Sequence, residues 1–321
     1  MDLYDVDGYK GGTGELNEIS KNRVQAVSEQ ILSYEPDLVG LQEDVNNWVN
    51  NMSLGDGYVR YKPDIEHTVN TAEYCSIYVK NGITVKDSGY KWLTSSGAYG
   101  TFALSYDELT DEDGKYYMTD DELSALGITD SQTLYTSSKT ALESRLMNYV
   151  IVEVNGRDII YVNVHFQHRS QNTATEEQTK IRYYERCAQF EMVQNQIADL
   201  KTRYTDACVI ITGDFNDYAG SDFYNAVVSS YTDSKTVAIT DNAVSDTWNS
   251  AFDVDTQGQG GTRTDTDTGS NDRIDFCFVS NELKNCVVEY QTGDYKWTIS
   301  ETDTVVYPSD HLPIIIYLEV K

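Results

Sequence analysis

Short apolar runs that stop abruptly on a polar residue recur along this chain. Val209-Ile210-Ile211-Thr212 ends at Gly213-Asp214-Phe215-Asn216, and β-branched residues in so short a run predict a buried strand. Leu38-Val39-Gly40-Leu41-Gln42 ends in the same way at Glu43-Asp44. Leu16, Ile19, Arg23, Val27, Ile31 and Tyr34 recur at helical spacing before Pro36, so residues 17–35 read as an amphipathic helix. Ser76 to Val79 reads as a strand preceded by Glu73, and another follows near Lys91-Trp92-Leu93.

The stretch 96–143 breaks this rhythm. It is acidic and rich in Gly, Ser, Thr and Tyr, and it reads as a surface insertion with one small helix at 119–126 capped by Thr119. Its Asp111-Glu112-Asp113-Gly114 lacks the rest of a calcium-loop pattern and reads as a solvated loop. The apolar runs 147–154 and 159–164 flank Asn155-Gly156, a strong hairpin signal, and the second ends at His165. Thr175 with Gln178 forms a capping box before a long helix carrying Ile181, Tyr184, Ala188, Val193, Ile197 and Leu200. A short helix near 221–229 and a loop over 255–272 follow. Ile274–Val279 and Leu312–Leu318 are the last strands, the latter preceded by Ser309-Asp310-His311. No repeat or low-complexity linker divides the chain, so the expectation is one domain of 1–321, built of two packed sheets with helices outside.

Composition narrows the partners. The chain has 321 residues, with 24 Lys and Arg against 52 Asp and Glu, a formal net charge of −28. So acidic a surface does not suit a general nucleic-acid binder, which brings positive charge to phosphates. It tolerates bound cations. The five Cys fall at 75, 187, 208, 277 and 286 with no zinc-like spacing, and three lie in apolar runs as small buried hydrophobes. No stretch approaches a membrane span, and no signal peptide opens the given chain. The 25 Tyr and the scarcity of Lys suggest an extracellular or cell-surface protein.

Collected at strand edges are Glu43, Glu73, His165, Asp214, Asn216, Asp275, Asp310 and His311. Carboxylates without Cys suit a hard cation such as Mg²⁺, and two His with carboxylate partners suit proton transfer or charge stabilisation. Together they point to metal-assisted displacement at phosphorus.

Leu41-Gln42-Glu43, Asn163-Val164-His165, Gly213-Asp214-Phe215-Asn216, Arg273-Ile274-Asp275-Phe276 and Ser309-Asp310-His311 stand in the order found in the endonuclease/exonuclease/phosphatase superfamily. From about Asn17 to the end, outside 96–143, the chain resembles that superfamily. The resemblance implies a four-layer α/β sandwich, two facing mixed β-sheets with helices outside, and a site at one edge of the sheets. It implies Glu43 as the main metal ligand with Asp310 beside it, and Mg²⁺ as the ion, with Mn²⁺ or Ca²⁺ as alternatives. It implies that Asp214 activates the attacking water and that Asn216 holds that water or the phosphate. His311 would stabilise charge on phosphorus with Asp275 fixing its ring. His165 would be the acid for the leaving oxygen, with Glu73 behind it, and Arg145 would face the phosphate.

The chain departs from the superfamily in two places. Relatives often read His-Leu-Asp-His where this chain reads His165-Phe166-Gln167-His168, which removes a carboxylate. Relatives also open with a strand carrying an Asn near the metal, whereas only Met1-Asp2-Leu3-Tyr4 precedes the first loop here. Either Asp2 takes that position as a ligand, or the strand is missing from the given sequence through truncation. Asp265, Asp267 and Asn271 form a weaker second-ion candidate. The implied activity is a Mg²⁺-dependent phosphodiesterase or phosphatase, a monomer acting on a small, lipid-linked or nucleic-acid phosphoester. A nuclease of the same superfamily and a catalytically inactive binding module are the alternatives.

Overall fold

The computed structural model describes residues 18–44, 51–64, 74–98, 103–129, 135–136, 144–169, 174–243, 248–249, 271–293, 297–299, 304–306, 309 and 311–321. In chain order the first elements are α1 (Glu18–Tyr34), β1 (Leu38–Gly40), β2 (Tyr58–Tyr61), β3 (Ile77–Lys80) and β4 (Thr84–Trp92). The acidic stretch holds β5 (Ala103–Leu104), α2 (Tyr106–Thr110), α3 (Asp120–Ala125) and β6 (Tyr135–Thr136). The central elements are β7 (Leu146–Val154), β8 (Arg157–His165), α4 (Glu176–Arg203), β9 (Cys208–Asp214), α5 (Asp222–Val228), β10 (Thr232–Asp233), α6 (Ser234–Val237) and β11 (Thr240–Asp241). The chain continues with β12 (Trp248–Asn249), β13 (Asn271–Asp272), β14 (Asp275–Val279) and β15 (Val287–Thr292). It closes with β16 (Trp297–Ile299), β17 (Thr304–Val306) and β18 (Ile314–Leu318).

Six strands form the main sheet in the order β10-β14-β9-β8-β7-β4. All neighbours are antiparallel except β8 and β9. Its inner strands are buried on both faces, which is why they read as near-continuous apolar runs. One face packs Ile160, Val162, Val164, Val209 and Ile211 against Phe190, Val193 and Ile197 of α4 and Phe223 of α5. The other packs Ile159, Tyr161, Cys208, Ile210, Cys277 and Val279 against Ile77 and Val79 of β3 and Val287, Ile314 and Ile316 of β15 and β18. This second layer consists, among the described residues, of two three-stranded pieces, β1-β3-β2 and β11-β15-β18. α1 lies across both. Its Ile31 packs with Val39 and Tyr58, while Gln30 and Tyr34 reach Gly293 at the end of β15. Helix, sheet, sheet, helix make the expected four-layer α/β sandwich.

Local signals explain most boundaries. Asn155 (φ 51°) and Gly156 (φ 76°) are both left-handed, as a two-residue primed turn between β7 and β8 requires. Thr175 and Gln178 make the capping box that starts α4. Two elements differ from the sequence reading. β4 runs from Thr84 rather than from about Lys91, and exposed and half-buried residues alternate along it. It is an edge strand with few apolar residues, which is why its length is not read from an apolar run. The acidic stretch carries more than the one Thr119-capped helix expected of it. Ser105 and Thr119 each build a capping box, and Leu104, Leu109, Met118, Leu123 and Ile128 pack with Ile181 of α4. Asp111 and its neighbours remain an exposed turn, as expected. Asn271 stands in β13 rather than in a loop, and Asp265 and Asp267 lie outside the described residues.

Candidate active site

Side chains alternate between faces along a strand, so every second residue belongs to one face. The face that packs the two sheets together reads Ile159-Tyr161-Asn163-His165 on β8 and Cys208-Ile210-Thr212-Asp214 on β9. On β14, which runs the other way, it reads Val279-Cys277-Asp275. Each row is apolar in the middle of the sandwich and polar at its edge. The register then aligns the polar ends. His165 is the Cα partner of Asp214, and Asp214 is the Cα partner of Asp275. Three residues far apart in sequence thus form one cross-strand row, within side-chain reach of each other.

The row is hydrogen-bonded into two groups. His311 Nδ1 lies 2.8 Å from Asp275 Oδ2, and its backbone N–H donates to Ser309 Oγ at 3.0 Å. In the second group His165 Nε2 is 3.4 Å from Asp214 Oδ2 and 2.9 Å from the Asn216 amide. Arg145 Nη1 stands 2.7 Å from His165 Nδ1. A guanidinium only donates, so Nδ1 accepts, while Nε2 faces both the Asp214 carboxylate and the Asn216 side-chain nitrogen. Asn216 donates its backbone N–H to Asp214 Oδ1 at 2.7 Å and its side-chain N–H to the Phe166 carbonyl at 3.0 Å.

This geometry adds to two expectations. Arg145 is buried and bonded to His165, and Glu73 lies outside the described residues. His165 itself is 2% exposed, beneath Asp214 and Asn216, a poor place for a leaving-group acid and a good one for a group that orients them. His311 is the more open of the two, at 12%.

Asp214 is buried, and this pushes its carboxyl above the ordinary 3.8. The Asp275 charge pushes the same way, while His165, His311 and the Asn216 N–H oppose it. One ligand atom from each of Asp214, Asp275 and His311 lies within 4.8 Å of the other two. Because Nδ1 of His311 already meets Asp275, the set offers a divalent cation two crowded carboxylates, whose mutual repulsion such an ion relieves. The residues therefore fit a hard metal ion.

Glu43 follows β1, whose Gly40 sits against Asn163 and Thr212, two residues below His165 and Asp214. That places Glu43 at the same edge of the sandwich. Asp2 and Asp310 lie outside the described residues. Glu43 (φ 56°), Cys75 (φ 47°) and Asn216 (φ 51°) hold left-handed backbone at this edge, a conformation that non-glycine residues adopt at a cost and that gathers at functional sites.

Two supports escaped the sequence reading. Asn163 donates to the carbonyls of Leu41 (2.8 Å) and Cys75 (3.1 Å) and accepts from Gln42 Nε2 (2.6 Å), tying the second layer to the first just below His165. A lone amide in an otherwise apolar inward row was the available signal. Gly213 (φ 150°) lies against the Val164 carbonyl, where a Cβ would collide with it. Gly213→Ala therefore costs on the order of 3 kcal/mol, read by urea unfolding, and displaces Asp214.

His168 belongs to neither group. Its Nδ1 faces Gln167 Oε1 at 3.1 Å. Burial first, then Arg182, Arg145, His165 and Arg186, push its pKa from 6.5 down to about 3. The folded value is the lower one, so the unfolded chain takes up the proton first. Stability from this group is present above pH ~6.5 and is lost as pH falls towards ~3, at up to about 1.4 kcal/mol per pH unit. Unfolding midpoints of His168→Gln should fall less steeply than wild type over that window. Equal slopes would contradict the assignment.

A model of the Endonuclease/Exonuclease/phosphatase family matches residues 16–311. No curated protein matches the sequence. Among solved structures, an endonuclease/exonuclease/phosphatase family protein from Bacteroides thetaiotaomicron is similar over 94% of this chain and 89% of its own, with TM-score 0.63 and 17% identity. A mannosyl-6-phosphatase from the same organism is similar over 94% and 92%, with TM-score 0.61 and 17% identity. Truncated TDP2 of Caenorhabditis elegans is similar over 93% and 91%, with TM-score 0.53 and 17% identity. At such identities these neighbours speak for the fold, while the family match spans nearly the whole chain. The chain belongs to the Endonuclease/Exonuclease/phosphatase family, whose members are hydrolases acting on phosphoester bonds.

Proposed function

We propose that the protein is a Mg²⁺-dependent phosphodiesterase or phosphatase in which Asp214 directs water onto phosphorus. The observation that carries this reading is the His165–Asp214–Asp275 row with His311 held on Asp275. A carboxylate whose pKa is raised by burial is a stronger base than a solvated one, and Asp214 is such a group. Asn216, bonded to Asp214 through its backbone, stands beside the same position and holds the water or a phosphoryl oxygen. Asp275 accepts from His311 Nδ1 and leaves Nε2 to donate to a phosphoryl oxygen as negative charge develops there. Arg145 and the buried His165 fix Asp214 from behind.

Glu43, with Asp310 and Asp2 as further ligands, would hold the ion. When bound, Mg²⁺ supplies Lewis-acid stabilisation of the phosphoryl oxygens. The net charge of −28 favours a small or lipid-linked substrate over duplex DNA, and the mannosyl-6-phosphatase neighbour makes sugar phosphates worth including. No helix among the described residues is long and apolar enough to cross a membrane. The test is hydrolysis of bis-p-nitrophenyl phosphate, p-nitrophenyl phosphate, mannose 6-phosphate and plasmid DNA with Mg²⁺ or with EDTA. Mg²⁺-dependent turnover of a small phosphoester supports the proposal. Turnover confined to DNA makes the protein a nuclease, and turnover undiminished by EDTA removes the metal from the account.

A further inference from the structure

The middle of α4 carries polar side chains where its packing face should be apolar. Glu185, Arg186 and Gln189 are buried among Ile181, Phe190, Val193 and Ile197. Arg186 and Gln189 are three residues apart and so lie on one side of the helix. Each reaches the segment that follows one of the site-bearing strands. Arg186 Nη2 donates to Asp217 Oδ2 at 2.7 Å, with its guanidinium 5.6 Å from the Phe223 ring centre. Gln189 Oε1 accepts the Gln167 backbone N–H at 3.0 Å, and its Nε2 donates to the Leu93 carbonyl at 3.4 Å. The two segments are also bonded to each other. Phe166 N–H donates to the Asp214 carbonyl at 3.0 Å, and the Asn216 side chain donates to the Phe166 carbonyl at 3.0 Å.

This arrangement is expensive. Burial pushes the Arg186 pKa below its ordinary value, and its Nε and Nη1 are buried without a hydrogen-bond partner. Apolar side chains in place of a buried ion pair are often neutral or stabilising. Stability alone thus gives little reason for the pair, whereas the position of the Asp214–Asp217 segment does. We infer that Arg186 and Gln189 are positioning residues, a two-point brace by which α4 holds the strand ends bearing His165, Asp214 and Asn216 in catalytic register. Arg186 acts through Asp217, and Gln189 acts through Gln167. The catalytic half of this inference rests on the role proposed above for Asp214, while the structural half does not.

The test compares wild type with Arg186→Lys, Gln189→Leu and the double variant Arg186→Met/Asp217→Leu, which removes the pair without stranding a charge. Amide hydrogen exchange is followed on metal-free protein, with kcat and KM measured separately on the preferred phosphoester. In the double variant the melting temperature holds or rises. Exchange at Phe166 and Asn216 speeds at least about tenfold, and kcat falls about 10- to 100-fold while KM stays within about threefold, the pattern of misplaced groups. Gln189→Leu shows a smaller loss centred on residues 166–168, and Arg186→Lys restores most of the protection and turnover. Unchanged exchange at these amides overturns the brace. Faster exchange with unchanged kcat overturns the positioning role and leaves a structural ion pair. If wild type hydrolyses none of the phosphoesters, the role of Asp214 falls, and exchange alone decides the brace.

Discussion

Asp214→Ala lowers kcat on the preferred phosphoester by roughly 10³-fold or more, because it removes both the base and the group that aims the water. The loss does not come from unfolding, and Asp214→Asn separates the two effects. An amide oxygen still accepts the Asn216 N–H that Asp214 accepts at 2.7 Å, so the segment keeps its shape. The sign of the stability change follows from the raised carboxyl of Asp214. Its folded pKa lies above the unfolded one, so at neutral pH the charged form opposes folding, and the opposition fades as pH falls through the folded value. In EDTA at pH 7 the Asn variant should therefore melt no lower than wild type while remaining catalytically dead. An Asn variant with a normal melt and more than a tenth of wild-type turnover would take Asp214 out of the chemistry.

Asp275→Asn has the second-largest effect, a loss in kcat of about 10²- to 10⁴-fold. The carboxylate accepts from His311 Nδ1 at 2.8 Å, which stabilises the imidazolium and points Nε2 at the substrate. An amide lacks the charge. It can also present an N–H to Nδ1, which holds the ring in the opposite tautomer with Nε2 and Nδ1 exchanged in role. His311→Ala should lose a similar factor, and the Asp275→Asn/His311→Ala double variant should lose little more than either alone, because the two act as one unit. Multiplying losses in the double variant would mean that Asp275 acts independently of His311, for example through Asp214, its cross-strand neighbour.

What was legible in the sequence was the pattern of short apolar runs. Those on β8, β9 and β14 are nearly continuous, so the residues at which apolar gives way to polar announce the sheet edge. Thr119, Thr175 and Asn155-Gly156 marked boundaries through local chemistry, and the structure uses each of them that way. Contacts that depend on register or on helix rotation were not legible. Asn155-Gly156 announces that β7 and β8 pair, but not that the Arg145 side chain turns to meet His165 at 2.7 Å. Arg186 looks like a solvated helix position until α4 is turned against the sheet. The length of β4 is not legible because this edge strand alternates Lys, Asp and Ser with few apolar residues. Leu104, Leu109, Met118 and Leu123 were overlooked because acidic neighbours outnumber them, although burying these few is enough to dock the stretch on α4.

The measurement that tests the central claim most directly is the stereochemical course at phosphorus. A chiral phosphorothioate diester would be hydrolysed in ¹⁸O-labelled water with Mg²⁺. Direct in-line attack by water positioned at Asp214 predicts inversion at phosphorus, with one solvent oxygen in the product. Retention would mean two displacements and a covalent intermediate on the protein, and would contradict the account.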